Sequence, residues 1–240
     1  ATAYIATTRY KFNDKTPAIY KTTNYGQSWT NISEGIPYGA FTRVVREDKK
    51  RKDLLYAGTE TGIYISWNGG KKWEPFQLNM PVTPINDLMV HQDDLIVATS
   101  GRSFWILDDL SLLAQYENKP GVKLYEPAET VYGSWSSPLN GNSADGTSDF
   151  AGVNPASGMV IYYELPKGFS GDVELEIADA NGRLIRRLSS KEQKDFVAYD
   201  GGPSRAPRLS ANEGLNRFVW DTRHPIMPGV THVYIEGSYN

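Results

Sequence analysis

An eight-residue signature occurs twice in this chain, 44 positions apart: Thr22-Thr23-Asn24-Tyr25-Gly26-Gln27-Ser28-Trp29 and Ser66-Trp67-Asn68-Gly69-Gly70-Lys71-Lys72-Trp73. Both read hydroxyl, any residue, Asn, any residue, Gly, two residues, Trp. Every fixed position has a structural use. The short polar side chains of Thr22 and Asn24, or Ser66 and Asn68, can bond nearby backbone amides and tie a tight turn. Gly26 and Gly70 permit the positive φ such a turn requires. Trp29 and Trp73 are both expected to bury large apolar surfaces between sheets. None of these side chains is a nucleophile or a tuned acid, so the motif constrains architecture rather than chemistry.

A period of about 40–50 residues with turn chemistry at a fixed offset marks propeller-like repeats. The best copy predicts strands at Thr42–Arg46, Leu54–Gly58, Gly62–Ser66 and Trp73–Phe76. Apolar residues alternate or cluster there over four to six positions between Gly, Asn, Asp and Pro breaks. A preceding copy lacks its first strand and runs Ala3–Thr7, Ala18–Lys21 and Trp29–Asn31. A following copy runs Ile85–Val90, Leu95–Thr99 and Phe104–Leu107, then decays at Asp108-Asp109, without the glycine or tryptophan. Residues Asp109–Tyr116 predict one or two helical turns, capped by Asp109 or Ser111. The count is a little under three blades, fewer than the four to eight that commonly close a ring. The chain also opens on what reads as the middle of a strand, so a fragment is expected, its exposed blade edge covered by a missing segment or a neighbouring chain.

From residue 119 the composition changes. Residues 119–152 read as a linker, because Ser134–Asp149 is rich in Ser, Gly, Asn and Asp. Residues 153–240 read as a second β-rich domain. Its expected strands are Met159–Leu165, Val173–Ala178, Leu184–Leu188, Phe196–Tyr199, Leu215–Asp221 and Val233–Ile235, with a tight hairpin turn at Asp179–Arg183. Short strands at this density suggest an immunoglobulin-like sandwich, ending before its last strand.

Composition narrows the chemistry. A formal charge of −3 gives no general attraction to nucleic acid. No apolar run reaches the roughly 18–20 residues that span a bilayer. The absence of cysteine removes disulfides, thiolate metal sites and cysteine nucleophiles. His91, His224 and His232 stand apart, so no histidine metal site is expected. Asp145 and Asp149, within Asn140–Asp149, lack the loop order of a calcium site and read as linker. The run Asp48–Asp53 reads as a solvated basic turn. No phosphate loop or nucleophile elbow is present, and no cofactor is expected.

The two signatures resemble Asp-box (BNR) repeats, with Asn where that family more often has Asp. The segment Ser100–Asp109 resembles the closing blade of bacterial sortilin-like, glycosyl-hydrolase-annotated propeller proteins. Asp179–Arg186 and Gly214–Asp221 resemble the immunoglobulin-like sandwich that follows such propellers, and the related module of flagellar hook-cap proteins. The resemblance implies an all-β protein: terminal blades of an Asp-box propeller at residues 1–118, then a sandwich. It implies secretion, or a periplasmic or cell-surface location, and the remaining blades of a longer protein as partners. It also places the functional surface opposite the Asp-box turns, on Thr8–Pro17, Ile32–Phe41, Thr59–Gly62, Gln77–Pro84 and Thr99–Ser103. Glu60 and Asp87 are the candidate catalytic carboxylates there, since glycoside hydrolysis needs an acid and a base or nucleophile. Arg102 is a candidate carboxylate grip, and Tyr10 and Tyr38, with Phe41 and Trp135, are candidate ligand platforms. A sialidase set cannot be assembled from Arg9, Arg43 and Arg102. The expectation is a glycan- or polypeptide-binding or scaffolding module, the alternative a glycoside hydrolase with part of its site in absent blades.

Overall fold

The computed structural model describes residues 1–130, 156–199, 202 and 204–225. Two units divide the chain, Ala1–Tyr116 and Glu117–Asn240. Among the described residues all sheets are small and antiparallel, and the helical content is one 3-10 turn (Tyr10–Phe12) and one short helix. No helix among them is long and apolar enough to cross a membrane.

The first unit contains three sheets. The first has the order β1 (Ala3–Arg9), β2 (Asp14–Thr22), β3 (Thr30–Asn31). The second has four strands in sequence order: β4 (Thr42–Glu47), β5 (Leu55–Thr59), β6 (Ile63–Ser66) and β7 (Glu74–Pro75). The third has β8 (Ile85–His91), β9 (Asp94–Thr99) and β10 (Phe104–Leu107), with β9 central. Strands β5 and β6 are buried throughout, because their sheet is covered on both faces. Val45, Ala57 and Tyr64 pair across β4, β5 and β6 and so share one face, where they pack with Ile19, Ile36 and Trp73. Val44, Tyr56, Ile63 and Ile65 point the other way, onto Ile85, Leu88 and Val97 of the third sheet. Strand β4 lies against β1 on one side and β8 on the other.

The two signature turns fold alike. In the first, Gly26 N donates to Thr22 Oγ1 at 3.0 Å and Ser28 N to Asn24 Oδ1 at 3.0 Å. In the second, Gly70 N donates to Ser66 Oγ at 2.9 Å and Lys72 N to Asn68 Oδ1 at 3.0 Å. Gly26 and Gly70 take φ of 84° and 87°. The tryptophans part company. Trp73 is 1% exposed, and its indole Nε1 donates to Ile32 O at 2.6 Å. Trp29, expected to be buried as well, is 39% exposed. The reason is that Trp73 faces the first sheet, whereas nothing in this unit covers the corresponding face of the first sheet.

The run Asp48–Asp53 is a turn between β4 and β5 with exposed lysines, as expected, but Asp48 and Arg51 are not solvated as expected. Asp48 is buried, accepting from Lys50 N, Arg51 N and the Tyr56 hydroxyl. Burial pushes the Tyr56 hydroxyl well above its usual range, and the Asp48 carboxylate adds to the shift. The Arg51 guanidinium donates to Leu113 O at 3.0 Å and Tyr116 O at 2.5 Å and lies over the Trp67 ring. The turn thereby anchors α1 (Ser111–Gln115), whose N-cap is Leu110 rather than either residue expected. Asp109 still contributes, its carboxylate accepting from Ser111 N.

In the second unit β11 (Lys123–Leu124), β12 (Met159–Leu165) and β15 (Gly214–Trp220) form one sheet; β13 (Glu174–Ala178) and β14 (Leu184–Ser189) form another. Strand β11 comes from a segment read as linker. The Asp179 carboxylate accepts from Asn181 N and Arg183 N and closes the β13–β14 turn. The strand expected at Phe196–Tyr199 does not form; its residues lie in irregular chain. Arg186 is buried and reaches Asp221 at 2.9 Å. Val233–Ile235, Asn140–Asp149, Trp135 and His232 lie outside the described residues.

Candidate functional site

Antiparallel order sends the connections of the first unit alternately to its two ends. The signature turns and Asp48–Leu54 share one end, joined by Gly69 N donating to Asp53 O and by the Lys21–Asp53 and Lys50–Asp93 ion pairs. The β1–β2, β5–β6 and β9–β10 turns lie at the other end with the β3–β4 and β7–β8 connections. There the backbone bonds Gly39 N to Lys15 O, Glu60 N to Phe41 O and Ser100 N to Pro84 O tie the loops together.

Most of the candidate residues belong to this second end. Tyr10 stacks on Phe41 with ring centroids 5.1 Å apart and planes inclined by 16°. Phe41 is buried and Tyr10 exposed, so the stack presents one usable ring to solvent. The Arg43 guanidinium lies 5.2 Å from the Phe41 centroid, and its Nε and Nη2 both donate to Glu60 Oε2, at 3.1 and 2.5 Å. The result is a compact row from Tyr10 through Phe41 and Arg43 to Glu60. Tyr38, 73% exposed, and Phe12, also exposed, extend from the two loops that hold Tyr10 and Phe41. Beside them, hydrogen bonds from Thr16 hold the Asp14 carboxyl below its usual range, with Arg9, paired to it at 2.6 Å, adding to the effect.

The other two candidates stand apart from this row. Asp87 lies on β8, beside a bulge, and accepts from Arg46 Nη2 at 2.7 Å. Arg102 is in the β9–β10 turn, where its backbone N donates to Thr99 Oγ1 and its carbonyl accepts from Trp105 Nε1. Its side chain is exposed. Each candidate carboxylate is thus held by its own arginine, Glu60 by Arg43 and Asp87 by Arg46. A carboxylate in that setting has an oxygen already occupied as a hydrogen-bond acceptor. Arg43 and Phe12 carry no motif that would have marked them. Arg43 entered the sequence reading only among the three arginines weighed for a sialidase set, and its one positional signal is its place in the first strand next to the loop that ends at Phe41. Among the described residues no group of three or more His, Asp or Glu side chains could hold a metal ion.

Fold and site together define an all-β protein with stacked antiparallel sheets and an aromatic surface at one loop end. No protein-family model and no curated protein matches the chain. Among solved structures, it is similar to the crystal structure of an ancestral GH74 enzyme, at 14% identity and a TM-score of 0.33. The match covers 80% of this chain and 24% of that one. A likeness of that degree carries no activity over to this chain.

Proposed function

We propose that residues 1–118 are blades of an Asp-box β-propeller and that their loop end binds a glycan. Support for the propeller reading comes from the repeated signature turns and from β1, β4 and β8 lying side by side while their sheets stack face to face. The observation that carries the binding reading is the Tyr10–Phe41 stack beside the Arg43–Glu60 pair. A sugar ring offers a flat apolar C–H face and a rim of hydroxyls. An exposed aromatic ring meets the first, and Glu60 and Arg43, whose charges are already mutually compensated, meet the second without an unpaired charge being desolvated. The exposed Tyr38 and Phe12 allow more than one ring of a chain to be engaged. Export to the periplasm, cell surface or medium belongs to the same reading, as does an immunoglobulin-like sandwich at residues 153–240. The hydrolytic alternative is less well supported, because Glu60 and Asp87 are each committed to an arginine.

The test is retention of the purified chain in gels containing soluble polysaccharides, followed by calorimetric titration with the polymer that retards it. Tyr10→Ala should weaken binding at least about tenfold, equivalent to losing about 1.4 kcal/mol of ring contact. Binding left unchanged in both Tyr10→Ala and Tyr38→Ala would overturn the assignment. Capture of unfolded polypeptide instead of any glycan would move the ligand class to peptide.

A further inference from the structure

The charged side chains at the loop end of the first unit fall into two groups. The acids of the candidate surface are each matched by an arginine of their own: Asp14 by Arg9 at 2.6 Å, Glu60 by Arg43, and Asp87 by Arg46 at 2.7 Å. Glu34, the remaining acid of these connections, sits at the far end of its segment, where its carbonyl accepts from Trp73 N of the second signature. Three further cations, Lys11, Lys15 and Arg102, are exposed and have no acidic partner among the described residues. The loop end therefore carries a surplus of positive charge, in a chain whose formal net charge is −3. At the signature end no such surplus arises, because the exposed Lys49, Lys52, Lys71 and Lys72 stand among Glu47, Asp94, Asp108 and Asp109.

Main-chain geometry sets where the three cations stand. Lys11 lies between Tyr10 and Phe12 in the 3-10 turn that joins β1 to β2. The Lys15 carbonyl accepts from Gly39 N at 3.2 Å, so this residue stands against the loop that displays Tyr38. Arg102 occupies the β9–β10 turn, pinned by its own N donating to Thr99 Oγ1 at 3.1 Å and by Trp105 Nε1 donating to Arg102 O at 2.9 Å. The Thr83 hydroxyl fastens the same turn by donating to Ser100 O at 3.2 Å. The backbone of Arg102 is thus fixed while its guanidinium is uncommitted. A guanidinium in that state keeps its donor fork for a planar anion, and the exposed ammonium groups of lysine act as point charges.

We infer that the glycan taken by this end is anionic, a polysaccharide carrying carboxylate or sulfate groups along its chain. The inference rests on the glycan reading above and adds the charge of the ligand. A neutral sugar chain gains nothing from the unpaired cations. An anionic one is attracted by them and meets no uncompensated acid at the site, because Asp14, Glu60 and Asp87 are already paired. Lys11 and Lys15 belong to a loop of the first sheet and Arg102 to a turn of the third. A single anionic group therefore reaches only part of the set, whereas a polymer charged on successive sugars engages it along its length. Each exposed pair is weak alone, so the preference comes from several acting together and fades with salt.

Calorimetric titration of the intact chain with polygalacturonate, a sulfated galactan, and the neutral polymers xyloglucan and dextran provides the test. At low salt one of the anionic polymers should bind at least about tenfold more tightly than either neutral one, and which of them does so identifies the anion. The preference should shrink as salt rises through about 0.15 M, where the Debye length is about 8 Å. The triple variant Lys11→Gln, Lys15→Gln, Arg102→Gln should lose about tenfold in affinity for that polymer, as three exposed charge pairs imply. Lys71→Gln combined with Lys72→Gln, at the signature end, should leave it unchanged. All five side chains are exposed, and circular dichroism melts should place both variants within a few degrees of wild type. Binding to the neutral polymers alone overturns this inference and leaves the glycan reading standing, whereas binding to none of the four overturns both. The inference is also overturned if the triple variant binds as wild type does, or if the Lys71 and Lys72 changes weaken binding as much. Polyglutamate, an anion without sugar rings, binding as tightly as the glycan would overturn it too.

Discussion

Trp29 and Trp73 hold the same place in the same turn, yet replacing each by alanine should have very different consequences. An aromatic side chain buries about 150–250 Å², and at about 25 cal/mol per Å² full burial is worth about 4–6 kcal/mol. Trp73 is almost completely enclosed among Ile19, Ile36, Val45, Leu55 and Ala57, and its indole donates to the main-chain carbonyl of Ile32, just beyond β3 of the neighbouring sheet. Core aromatic-to-alanine changes cost about 3–5 kcal/mol, and leaving Ile32 O unpaired adds about 1 kcal/mol. Trp29 rests on Gly26 of its own turn, with the ring edge 3.9 Å from where a Cβ would stand. Such local burial survives in part in the unfolded chain, so Trp29→Ala should cost about 1–2 kcal/mol. The difference, at least about 2 kcal/mol, corresponds to a gap of about 6–12 °C in the unfolding temperature of a unit this size. Thermal melts followed by far-ultraviolet circular dichroism would measure it. Equal destabilisation by the two variants, or a larger effect at Trp29, would refute the assignment of the first sheet's outer face as uncovered.

Two further outcomes follow from the polar interior and the turns. Below about pH 10 Tyr56 is neutral in both folded and unfolded chains; above it the unfolded chain gives up this proton while the folded one keeps it, because burial raises the folded pKa above the ordinary 10.0. Stability should therefore fall as pH rises above 10, with Tyr56 contributing up to about 1.4 kcal/mol per pH unit. Urea melts at pH 9, 10 and 11 should show a shallower decline in Tyr56→Phe, and equal slopes would exclude the buried-hydroxyl account. In the second signature the Asn68 amide oxygen accepts from Lys72 N and the Ser66 hydroxyl, and a carboxylate oxygen serves equally well. Asn68→Asp should remain within about 0.5 kcal/mol of wild type, whereas Asn68→Ala should lose about 1 kcal/mol in chemical denaturation.

What the sequence discloses depends on how far its interactions reach. The signature turns are legible because their bonds span two to four residues, as between Thr22 and Gly26 or Asn68 and Lys72. Strand positions follow from apolar runs between breakers, and most survive to within a residue or two. Burial of Trp29 was not legible, since it depends on a sheet that no local pattern reports. The partners of the candidate carboxylates were not legible for the same reason. Glu60 is settled by an arginine 17 residues away and Asp87 by one 41 residues away. The basic run at Asp48–Asp53 looks solvated because its partners at Leu113 and Tyr116 are more than sixty positions downstream. Phe196–Tyr199 has the composition of a strand but finds no strand to pair with among the described residues.

The two ends of the first unit carry different chemistry, and that division bears on where a ligand can act. At the signature end the polar groups are spent on one another: Lys21 with Asp53, Lys50 with Asp93, Asp48 with Tyr56, and Arg51 with the carbonyls beside α1. The two ion pairs join the sheets in pairs and Arg51 ties the second sheet to α1, so a substitution there disturbs the stack itself. At the loop end main-chain bonds tie neighbouring loops, and the buried Thr42 hydroxyl joins the first two sheets by bonding Thr7 O and Ala18 O. Tyr38 and Phe12 face solvent, and Tyr10 is supported by Phe41 rather than enclosed. A surface whose side chains can vary without loosening the scaffold is where recognition can be built, since binding residues sit best on loops held by a rigid frame. The rigidity of one end is thus the physical condition for specificity at the other.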